Sequence, residues 1–184
     1  MKFLYISDLD GTLLDNCGIF PDNDKFKINE LIKSGLLFTI ATARTFATVI
    51  PLLDGVNINC PIILMNGVMI YDLGKKIPID LEIIPDNAVQ NVLACLKKYD
   101  VTGFIYTWNN KMTAWYEKFA VAPMKTFYNA RRERKTFIHI PSFFDIPHTE
   151  KAIYFCICNT SQKLLPVYNE LKNDLNLNLF FYED

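Results

Sequence analysis

No apolar stretch in this sequence approaches the ~20 consecutive residues that a membrane-spanning helix needs, so a helical span is excluded. Charge of either sign is not in excess either. Nineteen Lys and Arg oppose twenty Asp and Glu for a net charge of −1, which leaves no global basic field to attract nucleic acid. The one basic cluster, Arg131-Arg132-Glu133-Arg134-Lys135, reads as a solvated helix end or loop. The two histidines, His139 and His148, have no Cys or His partner at metal-ligand spacing. The five cysteines are odd in number and scattered. Cys156 and Cys158 share one face of a strand-like run, where they read as small apolar packers. The first residues lead straight into a strand and leave no room for a signal peptide. These absences together describe a soluble, reduced, cytoplasmic protein. What is present is apolar: 51% hydrophobic and 14% aromatic residues exclude a disordered chain. A length of 184 residues suffices for one large domain or two small ones.

The densest information lies at the start. Phe3–Ile6 is a short apolar run that reads as a buried strand, and it ends in Asp8-Leu9-Asp10-Gly11-Thr12. In extended backbone, residues i and i+2 share a face, so the Asp8 and Asp10 carboxylates can converge. Two carboxylates that close repel unless a cation or a shared proton lies between them. A hard divalent ion resolves this, and Mg²⁺ suits a site of few carboxylates plus a substrate phosphate. Gly11 allows a sharp turn that can aim successive N–H groups at an anion.

The same strand-then-turn pattern recurs. Pro21-Asp22-Asn23-Asp24 opens a helix with capping residues and early negative charge. Ile28, Leu31 and Ile32 form its inner face, and Gly35 ends it. Leu36–Ala41 is the second strand, Thr45 starts a helix that Gly55 stops, and Ile62–Met65 is the third strand. Short apolar strands alternating with helices predict a parallel α/β sheet with ligands at the strands' C-terminal ends. Asp8, Thr42 and Asn66 all fall there.

After Asn66 the pattern changes. Val68–Tyr71 with Lys76–Ile79, and Gly103–Trp108 with Met112–Tyr116, read as hairpins. A helix starts at Pro85-Asp86, and a poorly periodic stretch runs through Pro141 and Pro147. Lys151–Cys158 reads as a strand, about 161–174 as a helix and Leu177–Tyr182 as a last strand. This is an α+β segment, and the boundary is placed near residue 80. No repeat or low-complexity tract is visible.

Asp8-Leu9-Asp10-Gly11-Thr12-Leu13-Leu14 resembles the first signature of the haloacid dehalogenase-like hydrolases, mostly Mg²⁺-dependent phosphatases. Phe38-Thr39-Ile40-Ala41-Thr42-Ala43-Arg44 resembles the second. Its ending, Thr-Ala-Arg where most relatives have Thr-Gly-Arg, is similar to the Cof-type branch of sugar-phosphate phosphatases. Met65-Asn66-Gly67-Val68 resembles that branch's element after the third strand. A receiver domain would need an aspartate where this chain has Met65-Asn66.

The resemblance implies an α/β fold: a partial Rossmann-like parallel sheet core over 1–80, followed by an α+β cap domain over 81–184. It implies that Asp8 is the nucleophile and Asp10 the general acid and base. Mg²⁺ would be held by the Asp8 carboxylate and the Asp10 carbonyl. Leu9, Gly11, Thr12, Thr42, Ala43, Arg44, Asn66 and Gly67 would surround the phosphate and substrate, a small phosphorylated metabolite. Arg44 would approach the substrate or brace the site. Ala43 in place of Gly disfavours a positive φ there.

Two further family signatures, a Lys after the cap and an acidic Gly-Asp stretch, are expected to be missing; for the second, no glycine follows Gly103. The sequence therefore resembles the N-terminal two-thirds of such a protein. On that reading strand one is an exposed sheet edge open to self-association, and the chain by itself is inactive. A phosphatase is the leading expectation. The alternatives are a short, non-catalytic protein that binds a phosphorylated metabolite, and a phosphomutase of the same superfamily.

Overall fold

The computed structural model describes residues 3–182 and divides into two compact units, 1–82 and 83–184. The first contains β1 (Leu4–Ser7), α1 (Asp22–Lys33), β2 (Leu37–Ile40), α2 (Phe46–Val49), β3 (Ile62–Leu64), β4 (Met69–Asp72) and β5 (Ile77–Leu81). β1 and β2 pair in parallel, with Tyr5 opposite Phe38 and Ser7 opposite Ile40. β3 joins β2 through a parallel bridge between Ala41 and Ile63, so the C-terminal ends of all three strands lie along one edge. The chain then reverses, and β4 runs antiparallel to both β3 and β5.

Among the described residues β1 pairs only with β2. Phe3, Leu4, Tyr5 and Ile6 are each more than half exposed, which makes the strand the open edge expected from the sequence. No residue of α1 is buried; Ile28 and Ile32 are half-buried, but Leu31 is 52% exposed and does not join an inner face. The helix expected from Thr45 to Gly55 also comes out shorter. α2 stops at Val49 and continues as a 3₁₀ turn over Ile50–Leu52, because Pro51 has no N–H with which to extend the α-helical ladder.

The second unit contains α3 (Asp86–Lys98), β6 (Gly103–Trp108), β7 (Met112–Tyr116), α4 (Ala122–Asn129), β8 (Phe137–His139), β9 (Lys151–Ile157) and α5 (Ser161–Leu171). Its sheet has the order β8-β7-β6-β9. β6 is buried from Gly103 to Thr107 because both its faces are covered. On one, Ile105 and Trp115 cluster with Leu93 of α3. On the other, Phe104 meets Phe127 of α4 with ring centroids 5.2 Å apart. A Cβ on Gly103 would lie 2.2 Å from the Cys156 carbonyl oxygen, so the β6–β9 approach requires glycine there. Asn110 takes the hairpin turn between β6 and β7 at φ 57°.

The poorly periodic stretch of the sequence holds α4, β8 and 3₁₀ turns at Arg132–Arg134 and Phe143–Asp145, elements too short to show a period. The basic cluster lies on the first of these turns; Arg131 stacks 3.8 Å above the Phe127 ring, and Arg132 and Lys135 are exposed. Leu177–Tyr182, expected as a strand, forms none. Leu179, Phe180 and Tyr182 stay exposed, and without a partner strand an extended segment gains no ladder. Burial pushes the Cys156 thiol up to about 11, in keeping with a packing role. No described helix is long and apolar enough to cross a membrane.

Candidate active site

β1, β2 and β3 each end in a short turn, and the three turns carry all ten of the residues singled out above. After Ser7 the chain leaves extended geometry. Leu9 is fully buried while Asp8 and Asp10 are exposed. The buried Leu9 fixes this turn, since its carbonyl accepts the N–H groups of Thr12, Leu13 and Leu14 at 3.3, 3.0 and 2.9 Å. The Leu9 N–H donates to Asp8 Oδ1 at 2.7 Å. Gly11 sits at φ 72°, the left-handed conformation that glycine adopts without strain. Among the described residues, the Asp10 and Gly11 N–H groups donate to no protein acceptor. They are the free donors of the turn, whereas the Leu9 and Thr12 N–H groups are committed internally.

The two carboxylates differ in their partners: Asp8 Oδ1 accepts the Leu9 N–H. Asp10 instead takes its counter-charge from the second turn. Arg44 Nε donates to Asp10 Oδ2 at 2.8 Å and a terminal nitrogen donates to Oδ1 at 2.6 Å. This two-pronged geometry gives both strength and a fixed orientation. The hydrogen bonds from Arg44 hold the Asp10 carboxyl below its ordinary range, against some burial that opposes it. The Arg44 guanidinium is raised in turn. Arg44 therefore braces the Asp10 carboxylate.

The second turn is built on Thr42, which is 5% exposed. Its N–H donates to the Ile63 carbonyl at 3.0 Å, and its hydroxyl oxygen accepts the Arg44 N–H at 3.2 Å. The hydroxyl proton remains to be donated elsewhere. Ala43 is exposed and takes no positive φ, so its methyl group costs nothing in this backbone. The third turn places Met65, Asn66 and Gly67 at φ 53°, 59° and 95°. Sequence reasoning passed over Met65 as a functional residue, although the Asn66-Gly67 pair beside it is a left-handed turn signal.

The residues fit a Mg²⁺ site in part. One Asp8 carboxylate oxygen and the Asp10 carbonyl are oxygen donors of the right kind, and Mg²⁺ keeps several waters and takes phosphate oxygens. Among the described residues no group of three or more His, Cys, Asp or Glu could enclose a metal. The arrangement gathers oxygen donors and free N–H groups at the C-terminal ends of parallel strands.

The family model for haloacid dehalogenase-like hydrolases matches residues 5–184. The chain belongs to this family. Within the haloacid dehalogenase-like hydrolases it is 32% identical over 116 residues to a putative phosphatase of Buchnera aphidicola subsp. Baizongia pistaciae, covering 63% of this chain and 42% of that one. It is 39% identical over 77 residues to a 5-amino-6-(5-phospho-D-ribitylamino)uracil phosphatase of Bacillus subtilis, covering 42% of this chain and 26% of the relative. The matches thus span less than half the length of these curated relatives. A haloacid dehalogenase-like hydrolase from Bacteroides thetaiotaomicron shares the fold over 100% of this chain and 68% of its own, with a TM-score of 0.75 at 20% identity. A subclass IIB sugar phosphatase of the superfamily shares it over 94% and 64%, with a TM-score of 0.68 at 20% identity.

The Asp10–Arg44 pair has a pH signature. A carboxyl whose folded pKa lies below its unfolded value adds stability that is present above the unfolded value, near 3.9, and is lost as pH falls through the folded one. Urea unfolding midpoints are therefore expected to drop more steeply in wild type than in Asp10→Asn as pH falls from about 5 to about 3. Parallel curves would show that the pair does not couple to folding. The effect is small, since the Asp10 side chain is 55% exposed and solvent screens it.

Proposed function

We propose that this chain carries the phosphate-binding and nucleophilic half of a phosphatase acting on a small phosphorylated metabolite of the sugar-phosphate kind. The observation that carries the reading is the meeting of three strand ends. There Asp8 has a carboxylate oxygen free of the main chain, Asp10 is braced by Arg44, and the Thr42 hydroxyl and the Asp10 and Gly11 N–H groups are available to an anion. The Bacillus subtilis relative, named for a phosphorylated ribityl compound, supports the substrate class.

In this reading the Asp8 carboxylate attacks phosphorus, the bond to the leaving oxygen breaks, and an aspartyl-phosphate forms. Asp10 gives its proton to the leaving oxygen, then takes one from the water that attacks the aspartyl-phosphate and restores Asp8. Proton transfer of this kind contributes ~10²–10⁴-fold. Asp10 must be protonated for the first step, and the Arg44 pair opposes that, so the pair has to loosen as the substrate arrives. Thr42 and the free N–H groups hold the remaining phosphoryl oxygens as charge develops. Mg²⁺, held by the Asp8 carboxylate and the Asp10 carbonyl, would offset the charge repulsion between nucleophile and phosphate. Residues 81–184 would serve as the cap that selects the substrate.

The site is testable without turnover. Titrating the chain with inorganic phosphate and Mg²⁺ is expected to move the amide signals of Asp10, Gly11, Thr42 and Ala43 in ¹H–¹⁵N spectra. No movement at these four positions, or movement elsewhere only, would remove the phosphate cradle from the reading.

A further inference from the structure

The second and third turns are joined by main-chain hydrogen bonds. The Met65 N–H donates to the Arg44 carbonyl at 3.1 Å, and the Asn66 N–H donates to the Thr42 carbonyl at 3.2 Å. Both bonds require the chain to fold back as soon as β3 ends, and it does so through three successive left-handed residues, Met65, Asn66 and Gly67. Only the last is a glycine. For a residue with a Cβ this conformation is unfavourable, and it persists where its surroundings over-determine it. Here they do. The Met65 side chain is 1% exposed and anchors the turn in the core, while Asn66 is exposed and is a residue type that tolerates the left-handed region.

The consequence reaches Asp10. Arg44 is gripped on both sides of its backbone, its N–H by the Thr42 hydroxyl at 3.2 Å and its carbonyl by Met65. With its backbone fixed, the guanidinium meets Asp10 with two hydrogen bonds. We propose that the Met65–Gly67 turn is a positioning element. It fixes the Arg44 backbone, and through Arg44 it sets the orientation of the Asp10 carboxylate. Asn66 acts here through its backbone conformation, not through contact of its side chain with a substrate. This deepens the reading of Asp10 given above, but its test needs no catalysis.

The probe is the Arg44 Nε–H, observed by ¹H–¹⁵N spectroscopy in the 184-residue chain, with hydrogen exchange as the readout. Asn66→Gly keeps the left-handed turn accessible and is expected to leave protection of this proton unchanged. Asn66→Val, β-branched and disfavoured at positive φ, is expected to lower protection about tenfold, with Asn66→Ala between them. Leu53→Ala supplies the control, since Leu53 is buried in the same unit outside the three turns. It should lower the unfolding temperature while leaving Arg44 protection in place. Equal loss in Asn66→Gly and Asn66→Val would assign the effect to the Asn66 side chain and overturn the proposal. So would full protection in Asn66→Val, or a loss in Leu53→Ala as large as in Asn66→Val. Because the readout is a hydrogen bond in the resting protein, a failed phosphatase reading would leave this result standing.

Discussion

In any protein that contains this chain and hydrolyses phosphomonoesters, Asp8→Asn is expected to lower turnover on the order of 10⁴-fold or more, the scale seen when a covalent nucleophile is removed. The amide of Asn cannot form the acyl-phosphate bond, yet it is nearly isosteric and retains an oxygen that can accept the Leu9 N–H, as Asp8 Oδ1 does at 2.7 Å. Asp8 is also exposed, so the exchange buries nothing new. Urea and thermal unfolding should therefore match wild type, and the loss should appear in kcat with the substrate KM little changed. Turnover of a generic phosphomonoester within a few-fold of wild type would rule out Asp8 as nucleophile. An equal loss of stability would mean that the Asp8–Leu9 bond is structural and that the kinetic loss says nothing about chemistry.

The strands that carry the site were legible because each is a short apolar run closed by a glycine, proline or polar turn. β1, β2 and β3 lie within a residue of their expected limits, and the hairpin at Asn109-Asn110 came out residue for residue. Where a single residue outweighs periodicity, the pattern misled. Pro51 cuts α2 short, and no apolar count shows that. The region from Glu117 to Glu150 failed for another reason. Its helix of eight residues and its strand of three are held by packing of Tyr116, Phe119, Phe127, Tyr128 and Phe137 against one another, which is tertiary information.

The site divides along the same line. Residue types and strand ends were readable locally, so Asp8, Asp10, Thr42 and Asn66 could be placed on one edge. Their couplings were not, because Asp10 and Arg44 are 34 residues apart and nothing in either segment shows that the guanidinium turns toward the carboxylate. Spacing alone suggested a metal between Asp8 and Asp10, and it could not show that one of them is also met by a guanidinium. The Met65 conformation was equally hidden, since a buried methionine at φ 53° goes against its own preference and is imposed by the hydrogen bonds to the turn after β2.

The 184-residue chain assayed by itself with Mg²⁺ is expected to show no phosphomonoester turnover above the metal blank. Hydrolysis of phosphate monoesters is among the slowest uncatalysed reactions, and enzymes must supply accelerations as large as ~10²¹. That demands that several groups act together on the transferring phosphoryl, and losses among groups that act as a unit are far from additive. Here Asp10 is paired to Arg44, and no lysine bonds to Asp8 or Asp10 among the described residues. No described cluster of three metal-ligating residues encloses the cation. On the proposed reading a nucleophile and a set of donors are present, while a further group to offset the phosphate's charge is not found among the described residues. The same chain should still bind inorganic phosphate, because Thr42 and the free N–H groups are in place. Binding without turnover is therefore the expected pairing, and it is how a non-catalytic binding protein would behave as well. A longer protein containing this chain, where the reading frame continues, would separate the two, since turnover there assigns the catalytic reading and its absence assigns the binding one. Concentration is the remaining variable. The open edge of β1, with Phe3 to Ile6 exposed, invites pairing between copies, so the assay belongs on a monodisperse fraction verified by light scattering. Robust turnover from a monomer of this chain would refute the expectation and direct the search for a substitute Lys and carboxylate to residues 80–184.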